Sequence, residues 1–106
     1  MSAGHRHVLG PVAEIPVGEG RAYAVNGEWL AVFRLRGDGG LRAVQAVCPH
    51  RGGPLADGQI DGELVVCPLH GNAFAFADGS CTTGDLRVRV FRAWDDAGQV
   101  VVSTAP

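Results

Sequence analysis

Short apolar segments alternate with Gly- and Asp-rich punctuation along this chain. No stretch of about eleven residues keeps apolar positions at i, i+3, i+4 and i+7 without an interrupting Gly or Pro. Long helices are therefore not expected. Residues 21–25, 28–35 and 41–47 are rich in Val, Ala and aromatic side chains, which suit a pleated and half-buried surface. Asn26-Gly27 and Gly37-Asp38-Gly39-Gly40 separate them, and both are hairpin signals because Asn and Gly tolerate positive φ. Further strands are predicted over 63–66, 73–77, 86–92 and 99–103, with turns at Asp61-Gly62, Asp78-Gly79 and Asp95-Asp96-Ala97-Gly98. Strict alternation across 86–92 puts Arg87 and Arg89 on a wet face and Val88 and Val90 on the opposite one. The pattern as a whole predicts a small antiparallel all-β protein.

Composition narrows the picture. With 106 residues, 46% of them apolar, the chain is expected to form a single domain over residues 1–106. A domain of this size buries only about 60–70% of its unfolded surface, so a bound metal or partner can supply a large share of its stability. The net charge is −2, and all nine basic residues are Arg. That is no footprint for a polyanion, so neither nucleic acid nor a membrane surface is an expected partner. No apolar run approaches the roughly 20 residues that span a bilayer, and the opening Met-Ser-Ala-Gly-His-Arg-His lacks the apolar centre of a signal peptide. A cytoplasmic location is expected. Three Cys do not make a disulfide framework; in a reducing compartment such thiols serve as metal ligands or as small buried hydrophobes.

Chemistry concentrates between residues 47 and 72, where Cys48-Pro49-His50 and Cys67-Pro68-Leu69-His70-Gly71 lie sixteen residues apart in two Gly- and Pro-rich loops. Each loop offers one thiolate and one imidazole. A mononuclear zinc finger usually draws two Cys from one loop and two His from the other, so that four ligands converge on one ion. A Cys and a His per loop suit two metal ions instead, each loop serving both. Zinc binding, or a metal-free interaction module, remains the alternative, and colour with iron and sulfide content separates them.

The run Cys48-Pro-His-Arg-Gly-Gly-Pro-Leu55 together with Cys67-Pro-Leu-His-Gly71 resembles the Rieske ferredoxin-like family. That resemblance implies a small antiparallel Rieske-type β-sandwich with an inserted two-loop cluster-binding subdomain. It implies one [2Fe–2S] cluster per chain, with Cys48 and Cys67 on one iron and His50 and His70 on the outer, reducible iron. Gly52, Gly53 and Gly71 would let the backbone come close and aim N–H groups at the sulfurs, Pro49 and Pro68 would stiffen the loops, and Leu55 and Leu69 would screen the cluster from water. High-potential members carry an additional Cys in each loop and a Ser after the second His-Gly, where this chain has Gly53, Leu69 and Asn72. Without those groups a low potential is expected, on the order of −150 mV.

The chain is too short to add the mononuclear iron site of an oxygenase, so an electron-carrier component is expected rather than a complete enzyme. The runs from Gly10 to Arg21, Ala31-Val32-Phe33-Arg34 and Cys48 to Gly58 look most like the small subunit of assimilatory NAD(P)H-dependent nitrite reductases. That placement implies a large flavin and sirohaem subunit as partner. The alternative is a stand-alone ferredoxin, fed by a flavin reductase, that serves a ring-hydroxylating dioxygenase or similar oxygenase. Outside the two loops, Cys81 is expected to be structural, His5 and His7 to belong to a solvated tail, and Trp29 and Trp94 to be core or rim aromatics. Arg51 is either a docking charge or a solvated side chain.

Overall fold

The computed structural model describes residues 6–37, 40–49, 52–69, 71–82 and 84–104. Nine strands form: β1 Arg6–Pro11, β2 Gly20–Val25, β3 Glu28–Arg34, β4 Leu41–Gln45, β5 Gln59–Asp61, β6 Leu64–Val66, β7 Ala73–Ala75, β8 Val90–Asp96 and β9 Gln99–Ser103. Two short 3-10 turns, Val12–Glu14 and Leu55–Asp57, are the only helical elements among the described residues. The all-β expectation holds.

All pairings are antiparallel, in a six-stranded sheet of order β1-β9-β8-β4-β3-β2 and a three-stranded sheet of order β5-β6-β7. The larger sheet is joined at its middle by two paired positions only, Ala43 with Phe91 and Val44 with Val90. Its halves fold toward each other as a sandwich, because Leu30, Val32 and Ala43 from one half meet Phe91, Val100 and Val102 from the other in one buried core. Val12 and Ile15 close that core. Arg34 Nη1 donates to the Ile15 carbonyl at 3.1 Å and anchors the closing segment.

The second core lies on the reverse face of β3 and β4. Ala31, Phe33, Val44 and Ala46 there meet Leu55, Val65, Phe74 and Phe76 from the three-stranded unit, with Cys48 and Cys67 in the same cluster. Strand β3 therefore faces apolar neighbours on both sides, which is why Leu30-Ala31-Val32-Phe33 is apolar without alternation. Phe33 and Phe76 pack with ring centroids 5.2 Å apart. Gly20 makes that packing possible, since a Cβ there would stand 2.5 Å from the Phe33 ring and 2.9 Å from the Ala56 carbonyl.

The meander expected from β2 to β4 forms, with Asn26 at φ 52° and Gly27 at φ 77° in the two-residue turn. Other boundaries move. Strand β4 ends at Gln45 rather than residue 47, and β7 at Ala75 rather than residue 77. The strand expected over 86–92 runs instead from Val90 to Asp96, so Asp95 and Asp96 belong to the strand and the turn is Ala97-Gly98. Val88 and Val90 do not share a face. Val88 is buried and Val90 is 38% exposed, because the chain first bridges the loop after β7, through Arg87 to Ser80, then meets Gln45 at Arg89 and pairs in register with β4 from Val90. Arg87 and Arg89 are exposed as predicted. Strands β1 and β5 were not expected.

Candidate metal centre

Two hairpins carry the candidate ligands. In the first, Val47 bridges Pro54, the Cys48 N–H donates to the Gly53 carbonyl at 2.8 Å, and the Gly52 N–H donates to the Cys48 carbonyl at 2.9 Å. In the second, Val66 pairs with Ala73, the Cys67 N–H donates to the Asn72 carbonyl at 2.8 Å, and the Gly71 N–H donates to the Cys67 carbonyl at 3.0 Å. The two six-residue tips, Cys-Pro-His-Arg-Gly-Gly and Cys-Pro-Leu-His-Gly-Asn, thus share one hydrogen-bond scheme. Their fifth residues are Gly52 at φ 72° and Gly71 at φ 74°, a conformation that excludes most side chains. Each tip begins with Cys, while the His stands third in one and fourth in the other.

Cys48 and Cys67 are both 1% exposed and belong to the same apolar cluster. No disulfide joins any of the three cysteines. The hairpins touch at Gly53, where a Cβ would lie 2.8 Å from Cys67 Sγ and 3.1 Å from the Leu69 side chain. A Cβ at this position would intrude on the thiol, so glycine is required by close approach. The N–H groups of Gly52 and Gly71 are engaged by the cysteine carbonyls, so these two do not themselves donate to sulfur. Leu55 is fully buried beneath the loops, and Leu69 is 53% exposed beside them. His50, Arg51 and His70 lie outside the described residues, as does His5.

Cys81 is half-buried against the core, bridging Phe74, and belongs to neither tip. Trp29 is an exposed rim residue, and the Trp94 ring has the guanidinium groups of Arg6 and Arg92 at 5.3 and 5.5 Å from its centre. Cys48 and Cys67 take no part in the cleft of about 520 Å³ lined by Gly18–Gly20, Arg36 and residues 56–60. Sequence reasoning missed Gln45. Its side-chain Nε2 donates to the Val47 carbonyl at 2.7 Å, directly before Cys48, and nothing in the local sequence marks it.

Two buried thiols at the starts of matching, glycine-cornered hairpins provide the soft, low-dielectric anchors that an iron–sulfur cluster requires. The donor set fits. The family of Rieske [2Fe-2S] domains matches residues 5–100, and the chain belongs to it. It is an electron-transfer domain of the kind that binds a Rieske-type [2Fe–2S] cluster.

Among solved structures, the chain is similar to a protein assigned as an NADH-dependent nitrite reductase small subunit from Mycobacterium tuberculosis. The two are 27% identical with a TM-score of 0.87, over 95% of this chain and 96% of that one. It is also similar to the ferredoxin of carbazole 1,9a-dioxygenase from Nocardioides aromaticivorans, at 25% identity and TM-score 0.83, over 94% and 98% of the two chains. Among curated proteins it is 30% identical over 99 residues to the cytochrome b6-f complex iron-sulfur subunit of Chlorobaculum tepidum. That match spans 92% of this chain but only 52% of the relative, and the match to the cholesterol 7-desaturase of Xenopus laevis spans 15% of that protein. No helix among the described residues is long and apolar enough to cross a membrane.

Proposed function

We propose that Cys48 and Cys67 hold one iron, and His50 and His70 the other, of a single [2Fe–2S] cluster, and that the chain is the cytoplasmic small subunit of an assimilatory NAD(P)H-dependent nitrite reductase. When bound, the cluster supplies a one-electron couple. The protein fixes the two cysteine backbones by paired hydrogen bonds and excludes water from below with Leu55, Val65 and Phe74. At the rim it leaves Val47 and Leu69 exposed for contact with a partner. The observation that favours the subunit reading is the TM-score of 0.87 to the mycobacterial small subunit, against 0.83 for the Nocardioides ferredoxin. The partner is then the large flavin and sirohaem subunit.

The dioxygenase-type ferredoxin is the second reading. It is favoured by the Nocardioides structure and by 31% identity over 78 residues to a naphthalene dioxygenase/salicylate hydroxylase ferredoxin from Ralstonia. Purified protein should contain two irons and two acid-labile sulfides per chain and give a Rieske-type EPR signal after dithionite reduction. A colourless protein with one zinc overturns the cluster assignment. A midpoint potential above about +150 mV overturns the low-potential expectation. Reduction by NAD(P)H through a purified sirohaem-containing large subunit supports the first partner. Transfer only to a ring-hydroxylating oxygenase supports the second.

A further inference from the structure

The matching hairpins differ in how the peptide before each cysteine is held. Val66, which precedes Cys67, is paired on both sides, with Gln59 on β5 and Ala73 on β7. Its carbonyl is packed so closely that a Cβ on Gly58 would lie 2.4 Å from it. In the first hairpin the regular ladder has already ended. Strand β4 stops at Gln45, Ala46 forms a bend, and among the described residues Val47 is held in sheet fashion only through its bridge to Pro54.

A side chain takes over at that point. Gln45 Nε2 donates to the Val47 carbonyl at 2.7 Å, while its Oε1 accepts the Arg89 N–H at 2.8 Å. The Gln45 backbone N–H donates to the Arg89 carbonyl at 3.0 Å. Arg89 is itself held, its guanidinium paired with the Glu28 carboxylate and lying 4.9 Å from the Phe91 ring centre. The carboxamide is therefore used at both ends. Glutamate at this position could accept from Arg89 but could not donate to Val47, and asparagine is a methylene shorter.

We infer that Gln45 is a positioning residue for the cluster: its carboxamide locks the Val47–Cys48 peptide where the β4 ladder ends and so fixes the presentation of the Cys48 thiolate. The inference rests on Cys48 being a ligand. With the Cys48 N–H on the Gly53 carbonyl and the Val47 carbonyl on Gln45, both ends of that peptide are tied. Loss of one tie of ordinary hydrogen-bond strength should make local opening about tenfold easier.

The test compares cluster-loaded wild type with Gln45→Glu and Gln45→Met, reading peptide-level hydrogen exchange and the rate of iron release to a chelator after reduction. Both variants should exchange about tenfold faster over residues 46–55 and release iron several-fold faster, with residues 65–74 and strands β8 and β9 unchanged. The inference is overturned if both hairpins accelerate equally, if neither does, or if Gln45→Glu keeps wild-type protection. Should Gln45→Met fail to fold, Gln45→Glu decides alone, because it retains the acceptor for Arg89. Wild-type protein that gains no protection over 46–55 on cluster assembly would instead overturn Cys48 as a ligand, whatever Gln45 does.

Discussion

The six-stranded and three-stranded sheets lie on one another through β3 and β4, yet they are stabilised on different terms. Strands of the larger sheet are five to seven residues long and enclose a core made of aliphatic and aromatic side chains alone. Those of the smaller sheet are three residues each, and two of the side chains in the core beneath them are the thiols of Cys48 and Cys67. So short a sheet is marginal by itself. In the larger sheet the apolar sequence suffices, whereas in the smaller one the thiols proposed to anchor the cofactor are also packing atoms, so that on this proposal binding the cluster would help to complete the fold.

Removing an anchor should separate the two regions most strongly. Cys67→Ala is expected to abolish the visible absorption of the cluster and to expose the amides of β5–β7 to fast exchange, while β8 and β9 remain protected. Uniform exchange across both sheets would contradict the division. Core truncations sharpen it. Phe74→Ala should cost about 3–5 kcal/mol and impair iron retention, whereas Leu30→Ala should cost about 2–5 kcal/mol in thermal unfolding but leave the EPR spectrum unchanged. The two residues are equally buried, and they face different cores.

A smaller effect is expected at the contact between the hairpins. Gly53→Ala places a methyl group 2.8 Å from Cys67 Sγ and should cost about 1–3 kcal/mol, with altered g-values on EPR as the diagnostic. The smallest change belongs wholly to the larger sheet. The Tyr23 hydroxyl is buried without a hydrogen-bond partner among the described residues, and burial pushes its pKa up from the ordinary 10.0. Tyr23→Phe should therefore raise stability by about 1 kcal/mol in denaturant unfolding, with the cluster unaffected.

Legibility in the sequence follows the same line between regions. The β2–β4 meander was readable because Asn-Gly and short β-rich segments state it locally. Strand β1 was not, because Gly10 and Pro11 obscure it and it exists through pairing with β9. Strand β5 carries a single apolar residue, Ile60, among three. The misplaced start of β8 has a physical cause, since alternation across 86–92 cannot reveal that residues 87 and 88 bond to the loop after β7 before the strand begins. At the candidate centre the cysteines were evident from spacing. Gln45 was invisible, because its role depends on Arg89, 44 residues further along the chain.

The pairing of β1 with β9 also governs the order in which the molecule can be made. Arg6 lies opposite Ser103, so one edge of the larger sheet closes only after β9 has emerged from the ribosome. The two cysteine hairpins are local and need only a few dozen residues between them, which places their formation early and the closure of the sheet late. Residues 6 and 103 must meet across nearly the whole chain, whereas each cysteine hairpin closes over six residues.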